Sequence, residues 1–242
     1  MPSIGVFTLL GLGLVFGLKH ASEVDHIVAV STIVSEQRNV FRSSLIGGLW
    51  GIGHMASLLV VGVLVLLFRV TISPAIAGWL EFGVALMIIG LGVLALMRVL
   101  RGRDDVHIHR HDHDGVSHVH VHFHERHNKE EHRKFPHSHA VSRVALKPFL
   151  VGAMHGLAGS AALTLLVLTQ INSMFLGILY LLCFGAGATG GMLLMSGLIG
   201  LPFALSARRL SRISYGLQTG AAALSIAFGL WYAYAIGRGN LW

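Results

Sequence analysis

Apolar residues dominate long stretches of this chain, and polar residues gather at the boundaries between the stretches. A bilayer core about 30 Å thick needs roughly 20 apolar residues in helical form to cross it. Six segments of this kind are present, and no charged residue occurs between Lys147 and Arg208. The segments cover residues 4–34, 44–68, 72–97, 148–168, 175–205 and 213–236. The pattern predicts an all-α, polytopic membrane protein with six transmembrane helices.

Composition supports a membrane protein. Apolar residues make up 54% of the chain and charged residues only 12%, whereas a soluble domain carries roughly 25% charged residues. We therefore expect the lipid bilayer as the main partner, a homo-oligomer as one form of assembly, and no nucleic-acid partner. The single cysteine, Cys183, excludes a disulfide within the chain and a cysteine-rich metal site.

Lysine and arginine are distributed unevenly between the two sides of such a membrane domain. The connections around residues 38–42, 98–147 and 208–212 hold fifteen of them, and the opposite side has only Arg69 and Arg238. Cytoplasmic loops carry an excess of these residues. We therefore expect a multi-pass protein of the inner (cytoplasmic) membrane, with both termini outside and the long central loop in the cytoplasm.

The two halves of the chain resemble each other. Residues 16–21 match residues 151–156, residues 50–53 match 184–187, and residues 80–83 match 217–220, at offsets of 135, 134 and 137. An odd number of helices per repeat inverts the second copy, and inverted repeats are a transporter architecture. We expect a first three-helix repeat over 1–103, a cytoplasmic loop over 104–142 and a second repeat over 143–242. Chance similarity between glycine-rich helices is the alternative.

The first apolar segment is interrupted by ionisable residues near its middle: Lys19, His20, Glu23, Asp25 and His26. A charged side chain at a helix centre costs about 2.5–3.5 kcal/mol on insertion scales, so such groups face a cavity, a partner or an ion. One straight helix cannot aim His20, Asp25 and His26 at a single ion, because these three side chains point in different directions. Either the helix unwinds here or other helices complete the site. The alternatives are a Lys19–Glu23 pair, an interfacial patch and a proton relay.

Three further ionisable residues lie within other spans. His54 and His155 are each alone in their segment, and Glu81 lies in the third segment. Neutral imidazole suits nickel, cobalt, zinc and copper, and carboxylates add charge compensation. We therefore take all three as candidate metal ligands beside the first cluster. Each histidine could instead be an interhelical hydrogen-bond partner, and Glu81 could reach the membrane interface.

The central loop holds twelve of the sixteen histidines, between His107 and His139. Charged residues fill much of the remainder, and composition of this kind is typical of a disordered segment. We expect the loop to be disordered and to buffer or sense metal in the cytoplasm. The alternative is a solvated linker with incidental metal affinity.

Three motifs resemble one family. The spacing His20-x4-Asp25-His26 is similar to the signature of the nickel/cobalt transporter superfamily, and residues 51–54 resemble its second motif. Residues 155–163 resemble the six-helix nickel permeases known as urease accessory membrane proteins. The resemblance implies secondary transport of Ni²⁺, with Co²⁺ as a further candidate, and recognition by His20, Asp25, His26 and His54. The larger importers of the family have eight helices and a later acidic motif, whereas this chain has six helices and the neutral residues His155–Ser160 at that place.

Several functions are compatible with such a chain. Uptake is favoured over efflux, because an inner-negative membrane potential draws a divalent cation inward. Efflux would need proton exchange, for which Glu23 or Asp25 could act as relay. A membrane metalloenzyme using four histidines is less well supported, so we expect neither an enzyme nor a prosthetic group. A metal-storage or sensing scaffold acting through the loop is the third alternative.

Overall fold

The computed structural model describes residues 5–68, 73–101, 106–113, 116–123, 141–157, 171, 173–209 and 211–241. These residues form seven α-helices, a two-stranded antiparallel sheet and a short π-helix, Gly237–Leu241. The strands are β1 (Val106–His113) and β2 (Val116–Phe123). The helices are α1 (Val6–His20), α2 (Val24–Val34), α3 (Val40–Phe68), α4 (Pro74–Arg101), α5 (Val141–Gly156), α6 (Met174–Arg209) and α7 (Ser211–Ile236).

Four helices, α3, α4, α6 and α7, are long and apolar enough to cross a membrane by length and composition. Two shorter apolar helices, α1 and α2, share the first expected span, which is broken between His20 and Val24. The expected span over residues 148–168 is helical up to Gly156, and residues 158–168 lie outside the described part of the chain. Large apolar side chains such as Phe7 and Phe175 are exposed on the outer faces. The chain is therefore a helical membrane protein.

The central loop differs from the expected disorder over two stretches, because β1 and β2 pair there as an antiparallel hairpin. The register sets His107 opposite His122, His109 opposite His120 and His111 opposite His118. The sequence between the strands is Asp114-Gly115, a dipeptide that favours two-residue hairpin turns. This hairpin is also a departure from the all-α prediction, which holds for the apolar segments.

Helices α1 and α6 approach each other closely at glycines. A Cβ atom at Gly17 of α1 would overlap the carbonyl oxygen of Phe184 in α6. In the other direction, a Cβ atom at Gly187 of α6 would overlap the carbonyl oxygen of Leu14 in α1. Small residues let helix backbones come together in lipid, where no hydrophobic effect drives association. The two glycines therefore define the α1–α6 contact from both sides.

Helices α3 and α5 make a contact of the same kind. A Cβ atom at Gly53 of α3 would overlap the carbonyl oxygen of Phe149, and one at Gly152 of α5 would overlap the carbonyl oxygen of Trp50. This contact lies directly beside His54 and His155. The close approach therefore brings these two histidine-bearing helices together.

Helices α4 and α7 form a third close pair. A Cβ atom at Gly92 would lie 2.9 Å from the carbonyl oxygen of Ala222, and one at Gly229 would lie 3.1 Å from that of Ala85. Helix α3 packs most extensively on α6, so that α1, α3, α5 and α6 form one assembly. The short helix α2 contacts both this assembly and the α4–α7 pair. It therefore lies between the two.

The close approach at Gly17 predicts a large effect from a single methyl group. Gly17→Ala should lower the melting temperature of the purified protein, because overpacking a tight contact costs about 1–3 kcal/mol. Gly11→Ala is the matched control on the same helix, since nothing lies within 4 Å of a Cβ at that position. The control should be neutral or stabilising, because alanine is about 1 kcal/mol better than glycine in a helix. Equal melting temperatures for both variants in detergent would contradict the packing.

Candidate metal centre

Residues 21–23 interrupt the first apolar segment. Glu23 has an extended backbone, with φ −66° and ψ 149°, and precedes the first turn of α2. The Ser22 hydroxyl donates a hydrogen bond of 2.6 Å to the carbonyl of Lys19, a local bond that competes with helix continuation. The carbonyl end of α1 and the amide end of α2 therefore both lie at the break. Broken helices of this kind hold ions and substrates in transporters. The first span therefore unwinds, as one alternative predicted, and α3 and α5 complete the cluster with His54 and His155, as the other predicted.

His20, the last residue of α1, is buried at the break and faces two partners. Its Nδ1 atom lies 3.1 Å from the Oε2 atom of Glu23. Its Nε2 atom lies 3.0 Å from the Nε2 atom of His54, which α3 supplies. Glu23 thus pairs with His20, and no ion pair between Glu23 and Lys19 is present among the described residues. The His20 ring links the broken helix to α3.

Asp25, in the first turn of α2, is bonded on both oxygens. Oδ1 accepts hydrogen bonds from the backbone amide of His26 at 2.9 Å and from its ring Nδ1 at 3.0 Å. Oδ2 accepts a hydrogen bond of 2.8 Å from the Nε2 atom of His155 in α5. The carboxylate is 13% exposed and His155 is fully buried. Asp25 therefore connects α2 to α5 through a charged group inside the membrane domain.

Two groups of three side chains have donor atoms close enough to hold one metal ion each. In both groups, the nitrogen or oxygen donors lie within 4.8 Å of one another. We call them the histidine triad and the carboxylate triad. The histidine triad is His20, His26 and His54, and the carboxylate triad is Asp25, His26 and His155. His26 belongs to both, so the two triads form one continuous centre.

Three ring nitrogens in this centre are buried without a hydrogen-bond partner among the described residues. They are Nε2 of His26, Nδ1 of His54 and Nδ1 of His155. A buried polar atom without a partner costs about 1–3 kcal/mol, so each requires an explanation. A lone pair held free for a metal ion explains the unpaired nitrogen of His26 directly.

The hydrogen bonds assign a proton position to each ring. Carboxylate oxygens accept hydrogen bonds, so His26 carries its hydrogen on Nδ1 and His155 carries its hydrogen on Nε2. The charge of Glu23 favours a hydrogen on Nδ1 of His20. The Nε2 atom of His20 then accepts from His54. Metal-binding histidines commonly donate their second nitrogen to a carboxylate, which orients the ring, and His26 has this arrangement.

Aromatic side chains enclose the centre. The Trp50 ring centroid lies 5.3 Å from that of His26 and 5.4 Å from that of His155. The Phe184 ring lies 5.5 Å from that of His20. Both aromatic residues are buried. Apolar rings beside the imidazoles lower the local dielectric, and a low dielectric strengthens electrostatic interactions with a bound cation.

Five of the seven candidate residues come together in the metal centre. The other two, Glu23 and Glu81, lie at the edge of the centre or outside it. His20, His26, His54, Asp25 and His155 are members of the triads. Glu23 lies behind His20 and is 40% exposed. Glu81 lies on α4 outside both triads, so its role as a ligand stays a prediction.

Sequence reasoning missed the aromatic wall. Trp50 and Phe184 occupy equivalent positions in two of the matching segments, residues 50–53 and 184–187. A large aromatic residue repeated at the same place in both halves was the available signal. The repeated aromatic residue, like the glycines around it, indicates a position at the centre of the fold.

These observations define a class of protein: a helical membrane protein with a buried cluster of imidazole and carboxylate groups at a break in its first span. The chain is 37% identical over 237 residues to the urease accessory protein UreH of Bacillus sp. (strain TB-90). The match covers 98% of this chain and 95% of that protein. No protein-family model and no solved structure matches the chain.

The chain therefore belongs to the family of the urease accessory protein UreH. A relationship of this extent covers the broken first span, both triads and the central loop together. It supports the expectation that the protein is not an enzyme.

The position of Trp50 predicts a fluorescence signal for metal binding. Ni²⁺ bound at the centre should quench Trp50, because its ring lies next to those of His26 and His155. Titrating purified protein with Ni²⁺ should therefore give a saturable loss of emission that Trp50→Phe removes. Trp79→Phe is the control, since Trp79 is 61% exposed on α4 and should leave the quenching intact. Unchanged quenching in Trp50→Phe would place the bound ion elsewhere.

Proposed function

We propose that the protein is a secondary transporter that moves Ni²⁺ across the cytoplasmic membrane, with the ion held by the two triads as it crosses. The observation that carries this proposal is the sharing of His26 by two buried donor sets at a helix break. The ion is the substrate of the protein and not a resident cofactor.

The depth of the centre supports transport rather than surface binding. The break follows fifteen helical residues of α1 and precedes eleven of α2, so it lies near the middle of the first span. His54 is the fifteenth residue of the 29-residue helix α3. Placing a charged group at such a depth costs about 2.5–3.5 kcal/mol unless it is paired or solvated. A cation passing through is a partner that accounts for both the imidazoles and the carboxylates.

Family membership and donor chemistry together favour nickel. Kinship with a urease accessory protein indicates a role in nickel handling. Imidazole nitrogen suits nickel, and it also suits cobalt, zinc and copper. Ni²⁺ is therefore the proposed substrate, and Co²⁺ is the second candidate to be tested beside it.

The packing supports the proposal of two inverted three-helix repeats. Under the sequence offsets of 135 and 134 residues, Gly17 and Phe184 correspond to Gly152 and Trp50. Both pairs make the same glycine-to-carbonyl contact. The α4–α7 contacts repeat in the same way, because the offset of 137 relates Gly92 to Gly229. Reciprocal contacts of this kind are expected when a pseudo-twofold axis relates the two repeats.

The direction proposed is uptake into the cytoplasm. The basic residues favour the central loop on the cytoplasmic side. A membrane potential contributes about 2.3 kcal/mol per charge per 100 mV, and hence about 4.6 kcal/mol for a divalent cation moving inward. This driving force needs no other energy source. Efflux against it would require exchange for protons.

Reconstitution tests this function. Proteoliposomes with an inside-negative potential should accumulate Ni²⁺, and His26→Ala should abolish accumulation because it removes a ligand from both triads. Thr32→Val is a matched control on the same helix: it loses a buried hydroxyl that contacts Ser225 but lies outside the triads. Co²⁺ and Zn²⁺ flux measured in parallel ranks the cations.

Two results would contradict the proposal. Equal Ni²⁺ flux in wild type and His26→Ala would show that the centre is not on the transport path. Lower cellular nickel in cells that produce the protein than in cells without it would establish efflux instead of uptake.

We also propose that the central loop, residues 104–142, buffers or senses metal in the cytoplasm and is not part of the transport site. The hairpin register supports a local concentration of histidines, since it sets three histidine pairs opposite each other. Directly opposed residues in antiparallel strands have Cβ atoms about 4.5–5.5 Å apart. The transport triads involve none of these residues.

Replacing the twelve loop histidines by asparagine tests whether metal buffering by the loop is separate from transport through the triads. The number of Ni²⁺ ions bound per chain should fall, because most histidines of the chain are lost. The initial rate of Ni²⁺ flux into proteoliposomes should stay at the wild-type level. Equilibrium dialysis measures the first quantity and a Ni²⁺-sensitive dye measures the second. Loss of flux in this variant would make the loop part of the transport machinery.

A further inference from the structure

The two nitrogens of His26 have different surroundings. Nδ1 donates a hydrogen bond to Asp25 Oδ1 at 3.0 Å, on the side of the carboxylate triad. Nε2 has no partner among the described residues. The His26 ring centroid lies 4.5 Å from that of His20 and 4.1 Å from that of His155. His26 therefore stands between two sets of donors.

The histidine triad offers nitrogen donors only. His20, His26 and His54 are all buried, and they come from the end of α1, from α2 and from α3. No carboxylate oxygen belongs to this triad. Hard cations such as Mg²⁺ and Ca²⁺ prefer oxygen ligands, so this position discriminates against them and accepts borderline transition-metal ions.

The carboxylate triad differs in charge and in the helices that build it. Asp25 adds one negative charge to the two imidazoles of His26 and His155. Its members come from α2 and from α5, which belong to different halves of the chain. An ion here is partly neutralised, and its ligand set bridges the halves.

A neutral imidazole has one hydrogen and one lone pair, so it can bind a metal through only one nitrogen at a time. We infer that the two triads are successive positions of one ion, which passes from one side of His26 to the other during transport. This inference rests on the proposed transport function. When the ion moves to the Nδ1 side, the proton released from Nδ1 is returned to Nε2, so the His26 ring changes tautomer, stays neutral and neither takes up nor releases a net proton.

The inference makes the two outer histidines testable separately. The chain with asparagine in place of the loop histidines is the background, so that binding reports the membrane centre alone. In this background, the unaltered centre should bind one Ni²⁺ ion per chain. His155→Ala should bind one ion at the histidine triad, and His54→Ala should bind one ion at the carboxylate triad. Each should lose Ni²⁺ flux by at least about tenfold, because one of the two positions is missing.

X-ray absorption at the nickel edge distinguishes the two trapped ions. His155→Ala should give a nitrogen-rich coordination shell, whereas His54→Ala should give a shell with fewer imidazoles and a carboxylate oxygen. His26→Ala should bind no ion at either position. Should an alanine variant fail to fold, His155→Gln or His54→Gln preserves the side-chain volume and gives the same comparison.

The outcomes separate this inference from the transport proposal. Wild-type flux in His155→Ala, or two ions bound per chain in the unaltered centre, would overturn the succession of positions and leave transport standing. Identical spectra for the two variants would do the same. A wild-type protein without Ni²⁺ flux would end the transport proposal, and the spectra would then still show whether the two positions exist.

Discussion

The hydrogen bonds of one carboxylate, Asp25, organise the centre of this protein. Its two oxygens bind the ring of His26 and the ring of His155, so a negative charge inside the membrane domain joins α2 to α5. A charged group at that depth persists only where partners satisfy it. The break at residues 21–23 gives Asp25 a position at a helix amino terminus, where negative charge is stabilised. These bonds fix the positions of the His26 and His155 rings.

Glycine contacts bring the remaining ligands to that carboxylate. Gly53 and Gly152 let α3 and α5 touch through their backbones, and each lies within three residues of its histidine. A Cβ atom at Gly156 would overlap the carbonyl oxygen of His54 itself. Larger residues would separate α3 from α5 and move His54 away from His155. The close packing of the two backbones is therefore also what positions the metal ligands on these helices.

Much of the fold could be predicted from the sequence, because a bilayer admits few alternatives to apolar helices. Ionisable groups inside a bilayer need partners, so Glu23, Asp25 and the nearby histidines also predicted that His54 and His155 would lie beside the first span. The sharing of His26 could not be predicted, because it depends on helix rotation and on an unwound segment, whereas Trp50 and Phe184 were indicated by their equivalent positions in the two halves of the chain. The hairpin differs from the prediction for another reason: the polar, charged composition of the loop predicts disorder, whereas its alternating pattern and the Asp114-Gly115 dipeptide are strand and turn signals.

The short helix α2 has a mechanical consequence. The four-helix assembly of α1, α3, α5 and α6 and the α4–α7 pair are each tightly packed, and α2 touches both. Asp25 and His26 lie on α2, whereas His54 and His155 lie on the four-helix assembly. Any sliding of the α4–α7 pair that drags α2 would therefore stretch or shorten the distances among the ligands themselves. The eleven residues of α2 would then both transmit the movement and carry two of the metal ligands.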